Sequence, residues 1–142
     1  MQFVYNDGGR TKKRTKKTRD CVVRAIAIAT GKDYDAVADE VVRRANSARR
    51  NSKKSRSCPE KGVFRELYEP MLAEWGWKWV AVSGIGTGCK MHMHADELPD
   101  ATIICRVSKH LACVKHGVLH DTYDCSRGGT RCVYGYFIKE NE

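Results

Sequence analysis

The 142-residue chain is 42% hydrophobic, contains three tryptophans and carries a formal net charge of +9. That length suits one domain, 1–142, with a sizeable core, and the apolar content excludes global disorder. No run approaches the roughly 20 apolar residues that span a bilayer, and Met1-Gln2-Phe3-Val4-Tyr5-Asn6-Asp7 lacks the basic and apolar regions of a signal peptide; the expectation is a cytoplasmic chain with no membrane partner.

The basic excess is confined to the first part of the chain: residues 1–62 hold 17 Lys/Arg against 7 Asp/Glu, and the remainder 9 against 10. One run spans 10–19 and a second follows Arg43-Arg44 into the serine-containing loop 47–61. Such runs are either solvated segments or phosphate-binding patches whose affinity falls steeply with salt. Lys12, Lys13, Arg14, Lys16 and Lys17 are the candidate contacts to nucleic acid or another acidic partner. No aromatic residues are interleaved with them as stacking platforms for single strands. Beside a cleft, the first run would steer an acidic substrate.

Asp20, an N-cap residue, precedes Cys21-Val22-Val23-Arg24-Ala25-Ile26-Ala27-Ile28-Ala29-Thr30, and Gly31 supplies a stop. Only Arg24 interrupts the apolar run, and a helix apolar on nearly every side is buried in a core. Tyr34, Val37, Ala38, Val41 and Ala45 give a second, amphipathic helix after Asp33. Phe64, Leu67, Tyr68, Met71, Leu72 and Trp75 give a third, in which Pro70 predicts a kink or an earlier start. Strands follow at Trp77 to Val82 and Ala101 to Val107, with Gly84-Ile85-Gly86-Thr87-Gly88 a loop between them.

Ser108 to Lys115 and Val118 to Tyr123 read as two strands joined by a His116-Gly117 turn. With Lys115 opposite Val118, Ala112 faces Asp121 and His110 faces Tyr123, so all four project from one side of the hairpin. His110 and Asp121 become diagonal neighbours, and Asp124 falls elsewhere. A last strand near Arg131 to Ile138 completes an antiparallel sheet, and helices followed by strands define an α+β class.

Cys21, His110 and Asp121 are the residue types a thiol hydrolase needs. The thiolate is the nucleophile, and unpaired N–H groups at a helix N-terminus favour it. An imidazole moves the proton and a carboxylate orients the imidazole. The competing reading is a small buried hydrophobe at Cys21 and a half-exposed hairpin with incidental polar groups.

Asp20-Cys21-Val22-Val23-Arg24-Ala25, Lys109-His110-Leu111-Ala112 and Gly117-Val118-Leu119-His120-Asp121-Thr122 resemble the papain-like cysteine peptidase superfamily, in particular its bacteriocin leader-processing branch. Together with Asp7-Gly8-Gly9-Arg10 and Gly129-Thr130-Arg131-Cys132-Val133-Tyr134-Gly135-Tyr136, they also resemble small proteins encoded by phages and prophages. The resemblance covers nearly the whole chain. It implies a papain-like fold with helices first and a buried central helix packed on an antiparallel sheet. It also implies Cys21 as nucleophile, His110 as general base and acid, and Asp121 as the orienting residue.

Papain-like enzymes carry a glutamine several residues before the nucleophile as an oxyanion donor. Here the only glutamine is Gln2. Losing such a donor costs about 10²–10³ in turnover unless Thr15, Thr18 or a lysine of the basic run replaces it. The reading is therefore a cysteine peptidase with a thioester intermediate, no cofactor and a peptide or protein substrate, in the host cytoplasm or associated with a virion. Its alternatives are an amidase, deamidase or acyltransferase with the same triad, or a non-enzymatic protein that binds nucleic acid or a host protein through its basic surface.

The seven cysteines form no C-x-x-C pair, and their odd number suits a reducing compartment without a clean disulfide framework. Cys105 and Cys113 read as core residues. His92 and His94 share one face of an extended segment, but two ligands do not make a metal site.

Overall fold

The computed structural model describes residues 1–9, 19–47, 57–59, 62–83 and 86–140. Lys12, Lys13, Arg14, Thr15, Lys16, Lys17 and Thr18, and most of the basic loop 47–61, lie outside the described residues. Strand β1 (Gln2–Tyr5) is followed by helices α1 (Cys21–Thr30), α2 (Tyr34–Ser47) and α3 (Arg65–Glu74). Strands β2 (Trp77–Ala81), β3 (Thr102–Val107), β4 (His110–Lys115), β5 (Val118–Asp121) and β6 (Gly135–Lys139) complete the chain. The class is α+β, with three helices packed on one six-stranded sheet of order β1-β5-β4-β3-β6-β2.

That sheet is mixed rather than antiparallel, and a strand precedes the helices. β1 runs parallel to β5, with Tyr5 opposite Asp121. Gln-Phe-Val-Tyr is strand-prone locally, but a parallel partner more than a hundred residues away leaves no signal in sequence periodicity. After β1, Asn6 Oδ1 accepts the Gly8 N–H at 3.0 Å and Asp7 Oδ1 accepts that of Gly9 at 2.9 Å. Gly8 has φ 69°, and a Cβ there would lie 3.4 Å from the Arg24 carbonyl oxygen, so the turn rests directly on α1.

The sheet is buried on both faces. Ile104, Leu111 and Phe137 meet the helices, whose contribution includes Val23, Ile26, Val37, Val41, Met71 and Leu72. On the far side, Ile103, Cys105, Val107, Ala112, Val114 and Leu119 pack under Met93, Leu98, Cys125 and Val133 from the connecting segments. Because each central strand contributes to both layers, β3 reads as an almost continuous apolar run. α1 lies against β4, β3, β5 and α2, which accounts for its apolar surface on nearly every side.

Local signals set the helix bounds. Gly31 adopts φ 74° and returns its N–H to the Ala27 carbonyl. The Asp33 carboxylate accepts the Asp35 N–H at 3.1 Å and opens α2. Pro70 lies inside α3, where its missing N–H forgoes the bond to the Glu66 carbonyl. The last strand begins at Gly135 rather than near Arg131, because Cys132 bridges instead to His92.

Gly135 is a requirement of close packing. A Cβ at this position would lie 2.7 Å from the Val80 carbonyl oxygen and closer still to the Trp79 indole lying across it. Gly135→Val is expected to destabilise the fold by about 1–3 kcal/mol, read as a lower urea midpoint with an unchanged slope.

Candidate functional site

The site begins at the first turn of α1. The backbone of Asp20 starts the helix, its carbonyl accepting the Arg24 N–H at 2.9 Å. Its carboxylate does not cap, contrary to the expectation from sequence. It is fully buried and holds instead the Arg24 guanidinium and the Tyr34 hydroxyl, the latter at 2.7 Å. Cys21, the first helical residue, stands with a half-buried side chain and a backbone N–H in the unsatisfied first turn.

The hairpin supplies the partners. Cys113 pairs with His120, Val114 with Leu119 and Lys115 with Val118, the register expected from sequence. His116 and Gly117 both have positive φ, 48° and 79°, as a two-residue turn requires. Ser108 and Lys109 belong to a second tight turn rather than to the strand, with Lys109 at φ 56°. His110 therefore stands first after a turn, at the end of the sheet beside the α1 N-terminus, and pairs with Val107.

His110 Nε2 lies 2.6 Å from Asp121 Oδ2, with side chains only 7% and 3% exposed. The Cys21 thiol stands near enough to the same imidazole for His110 to act on its ionisation. Since Nε2 is taken by Asp121, Nδ1 is the nitrogen available to Cys21. Asp121 is held from three further directions: its Oδ1 accepts the Thr122 N–H at 2.7 Å and faces Arg24 Nη2 at 3.3 Å, while the Cys125 thiol lies 3.5 Å from Oδ2. Asp124 is engaged elsewhere, accepting from the Ser126 N–H and hydroxyl. The Tyr123 ring packs on the imidazole at 5.4 Å between centroids.

These contacts set the ionisation of the groups. Burial pushes the Cys21 thiol up, but the hydrogen bond and charge of His110, the Leu111 backbone and the Arg24 charge together hold it below its ordinary value. Burial alone would lower His110. The hydrogen bonds to Asp121, Cys125 and Cys21 outweigh it and push the imidazole up to about 12. Asp121 is also pushed up by burial, and the His110 hydrogen bond and charge, the Thr122 N–H and Arg24 bring it below the usual carboxylate range. These directions favour the charged form of each of the three groups.

Arg24 was legible in the sequence only as an interruption of an apolar helix. Its guanidinium spans Asp20 and Asp121 and so ties the start of α1 to the end of β5. The signal was present, because a charge in an all-buried helix needs a buried counter-charge. Cys125 was also missed as a neighbour of the imidazole. His110, Asp121 and Cys125 present ligand atoms within 4.8 Å of one another, a donor set of the kind that binds zinc, although the same atoms are already linked by the hydrogen bonds above.

Gln2 pairs with Val118 on the sheet-edge strand, three residues from the Tyr5 position opposite Asp121. His92 and His94 are half-exposed and face Glu97 and Asp96 at 3.2 and 3.8 Å, respectively. Met93 between them reaches Cys125 at 3.8 Å, so the segment adjoins the site. Cys105 and Cys113 are core residues whose thiols burial pushes up, Cys113 to about 12. Contrary to the expectation of unpaired cysteines, Cys89 and Cys132 form a disulfide with Cα atoms 5.6 Å apart. The long-range bridge between His92 and Cys132 brings them together, and sequence spacing carries no trace of it.

No family model matches the chain, and no curated protein or solved structure is found to be similar to it. No helix among the described residues is long and apolar enough to cross a membrane.

Arg24→Met leaves Asp20 and Asp121 without their buried cation and is expected to cost about 3–5 kcal/mol, measured by urea unfolding. For Asp121, whose folded value is depressed, the stabilisation is present above its ordinary value near 3.8 and is lost as pH falls through the folded value. The stability gap between the wild type and Asp121→Asn is therefore expected to be widest near neutral pH and to shrink below about pH 4.

Proposed function

We propose that this chain is a papain-like thiol hydrolase of the phage-encoded kind its motifs resemble, and that it cleaves peptide bonds through Cys21, His110 and Asp121. The observation that carries the reading is one imidazole bonded to a buried carboxylate at 2.6 Å and acting on the ionisation of a thiol at a helix N-terminus.

The Cys21 thiolate attacks the carbonyl carbon of the scissile bond. The Cys21 backbone N–H, free of an intrahelical partner, donates to the oxyanion that forms. His110, already protonated, delivers its proton to the leaving amine as the tetrahedral adduct collapses to a thioester. Water then attacks the thioester, with His110 accepting its proton. Expulsion of the thiolate releases the acid and restores the ion pair. Asp121 keeps the ring oriented and its charge balanced throughout.

Two cavities suit an extended substrate. One of about 520 Å³ is lined by His110, Tyr123, Cys125 and Arg131. The other, of about 730 Å³, lies between the start of α3, strands β2 and β3, and the Cys132 to Tyr134 segment.

Alkylation of Cys21 by iodoacetamide, followed by mass spectrometry across pH, tests the reading. In the wild type the reactive thiolate is expected to persist below the pH range of an ordinary thiol. In His110→Ala, burial is opposed only by Leu111 and Arg24, and the profile is expected to move upward. An identical profile in both proteins counts against the thiolate–imidazolium pair. Cys21→Ala is expected to lower kcat/KM on a cleaved peptide by about 10³-fold or more.

A further inference from the structure

The larger cavity contains an arginine that the hydrolytic reaction does not use. We propose that Arg106 binds the carboxylate of an aspartate or glutamate side chain in the substrate, making this cavity an acidic subsite beside Cys21. The proposal rests on the hydrolase reading and names the substrate class for it.

Leu111 connects Arg106 with the nucleophile. Arg106 sits on β3 directly opposite Leu111 of β4, so the two side chains share the helix-facing side of the sheet. Cys21 packs against the core cluster that contains Leu111 and Tyr68. The Tyr68 phenol, on α3, lies in the electrostatic fields of both Arg106 and Cys21. The cavity lies between the start of α3 and the top of the sheet, on the helix-facing side to which Cys21 also packs.

Its lining fits an acidic side chain. Arg106 is half-buried and forms no ion pair among the described residues. The neighbouring Arg65 pairs with Glu69 and lies over the Trp79 ring at 5.6 Å. A half-buried guanidinium without a carboxylate is a donor awaiting one, and a two-pronged Arg–carboxylate pair is among the stronger charge-assisted contacts. Trp79 and Tyr134 offer apolar walls for the methylenes of the substrate side chain. Ser83 lines the same cavity, and its buried hydroxyl oxygen has no hydrogen-bond partner among the described residues, leaving a further polar contact open. No carboxylate residue lines the cavity among the described residues.

The test uses internally quenched peptides that differ only in carrying Glu, Gln or Lys at each of the three positions on the acyl side of the cleaved bond. Wild type is expected to favour Glu over Gln by about tenfold or more in kcat/KM at one position. Arg106→Gln should abolish that preference while retaining turnover of the Gln peptide. Arg106→Lys should keep part of it, and Arg106→Glu should shift it towards Lys. Equal turnover of the Glu and Gln peptides by wild type, or a preference that survives in Arg106→Gln, overturns the subsite. The same peptides are also titrated onto Cys21→Ala and Cys21→Ala/Arg106→Gln by fluorescence anisotropy. Glu-selective binding that needs Arg106, without cleavage by the wild type, overturns the hydrolase reading and leaves the subsite standing. Binding with no such selectivity overturns the subsite even if cleavage occurs.

Discussion

The buried Arg24 guanidinium is the constraint on which the rest of the site depends. It lies one helical turn from Cys21 and bonds the carboxylates of Asp20 and Asp121. Those carboxylates belong to segments about a hundred residues apart, and both are almost completely buried. A cation in so apolar a setting is tolerated only where its counter-charges are fixed, and the carboxylates are tolerated only where the cation is fixed. Tyr34 of α2 and the Thr122 N–H hold the two ends. The network therefore determines where the hairpin sits relative to α1, and with it the distance between thiol and imidazole.

Packing supplies the rigidity behind that charge arrangement. The central strands are covered on both faces, so β4 and β5 have no freedom to slip without moving apolar side chains out of one layer or the other. β1 lies alongside β5 as the outer strand, and the Asn6 N–H bonds the Asp121 carbonyl at 2.9 Å just beyond the last ladder pair. The backbone of Asp121 is thus held on the β1 side while its carboxylate is held by Arg24, Thr122 and His110. Two positive-φ turns, at Lys109 and at His116-Gly117, deliver His110 and Asp121 to the same end of the sheet.

What the sequence disclosed follows from the range of each interaction. α1, α2 and α3 emerged from periodicity and local stop signals, and the hairpin register from a two-residue turn, because these are settled by neighbours within a few positions. The proximity of His110 and Asp121 came from that register alone. β1 escaped because its partner is distant and parallel, and the Cys89–Cys132 disulfide because a bridge between two loops creates it. Asp20 was misread for a subtler reason. A carboxylate at a helix start favours the local cap, and only the tertiary fold brings the Tyr34 hydroxyl that, with the Arg24 guanidinium, engages it instead.

The same physics distinguishes Cys21 from the cysteines of the core. Cys105 and Cys113 lie in the sheet, where burial acts on the thiol with too little opposing positive charge, and their protons are held tightly. Cys21 also suffers a burial penalty, but it occurs at the rim where a helix N-terminus, an imidazole and the Arg24 charge converge. Low dielectric penalises the lone thiolate but also strengthens its attraction to His110. The outcome turns on the partner rather than on depth. The hydrogen bond and charge of Asp121 hold the imidazole charged against its burial, and the imidazole in turn draws the thiol below its ordinary value. Arg24, by fixing Asp121, acts on the thiol through two intermediaries as well as through its own field, which explains why a single charge belongs in an otherwise apolar helix.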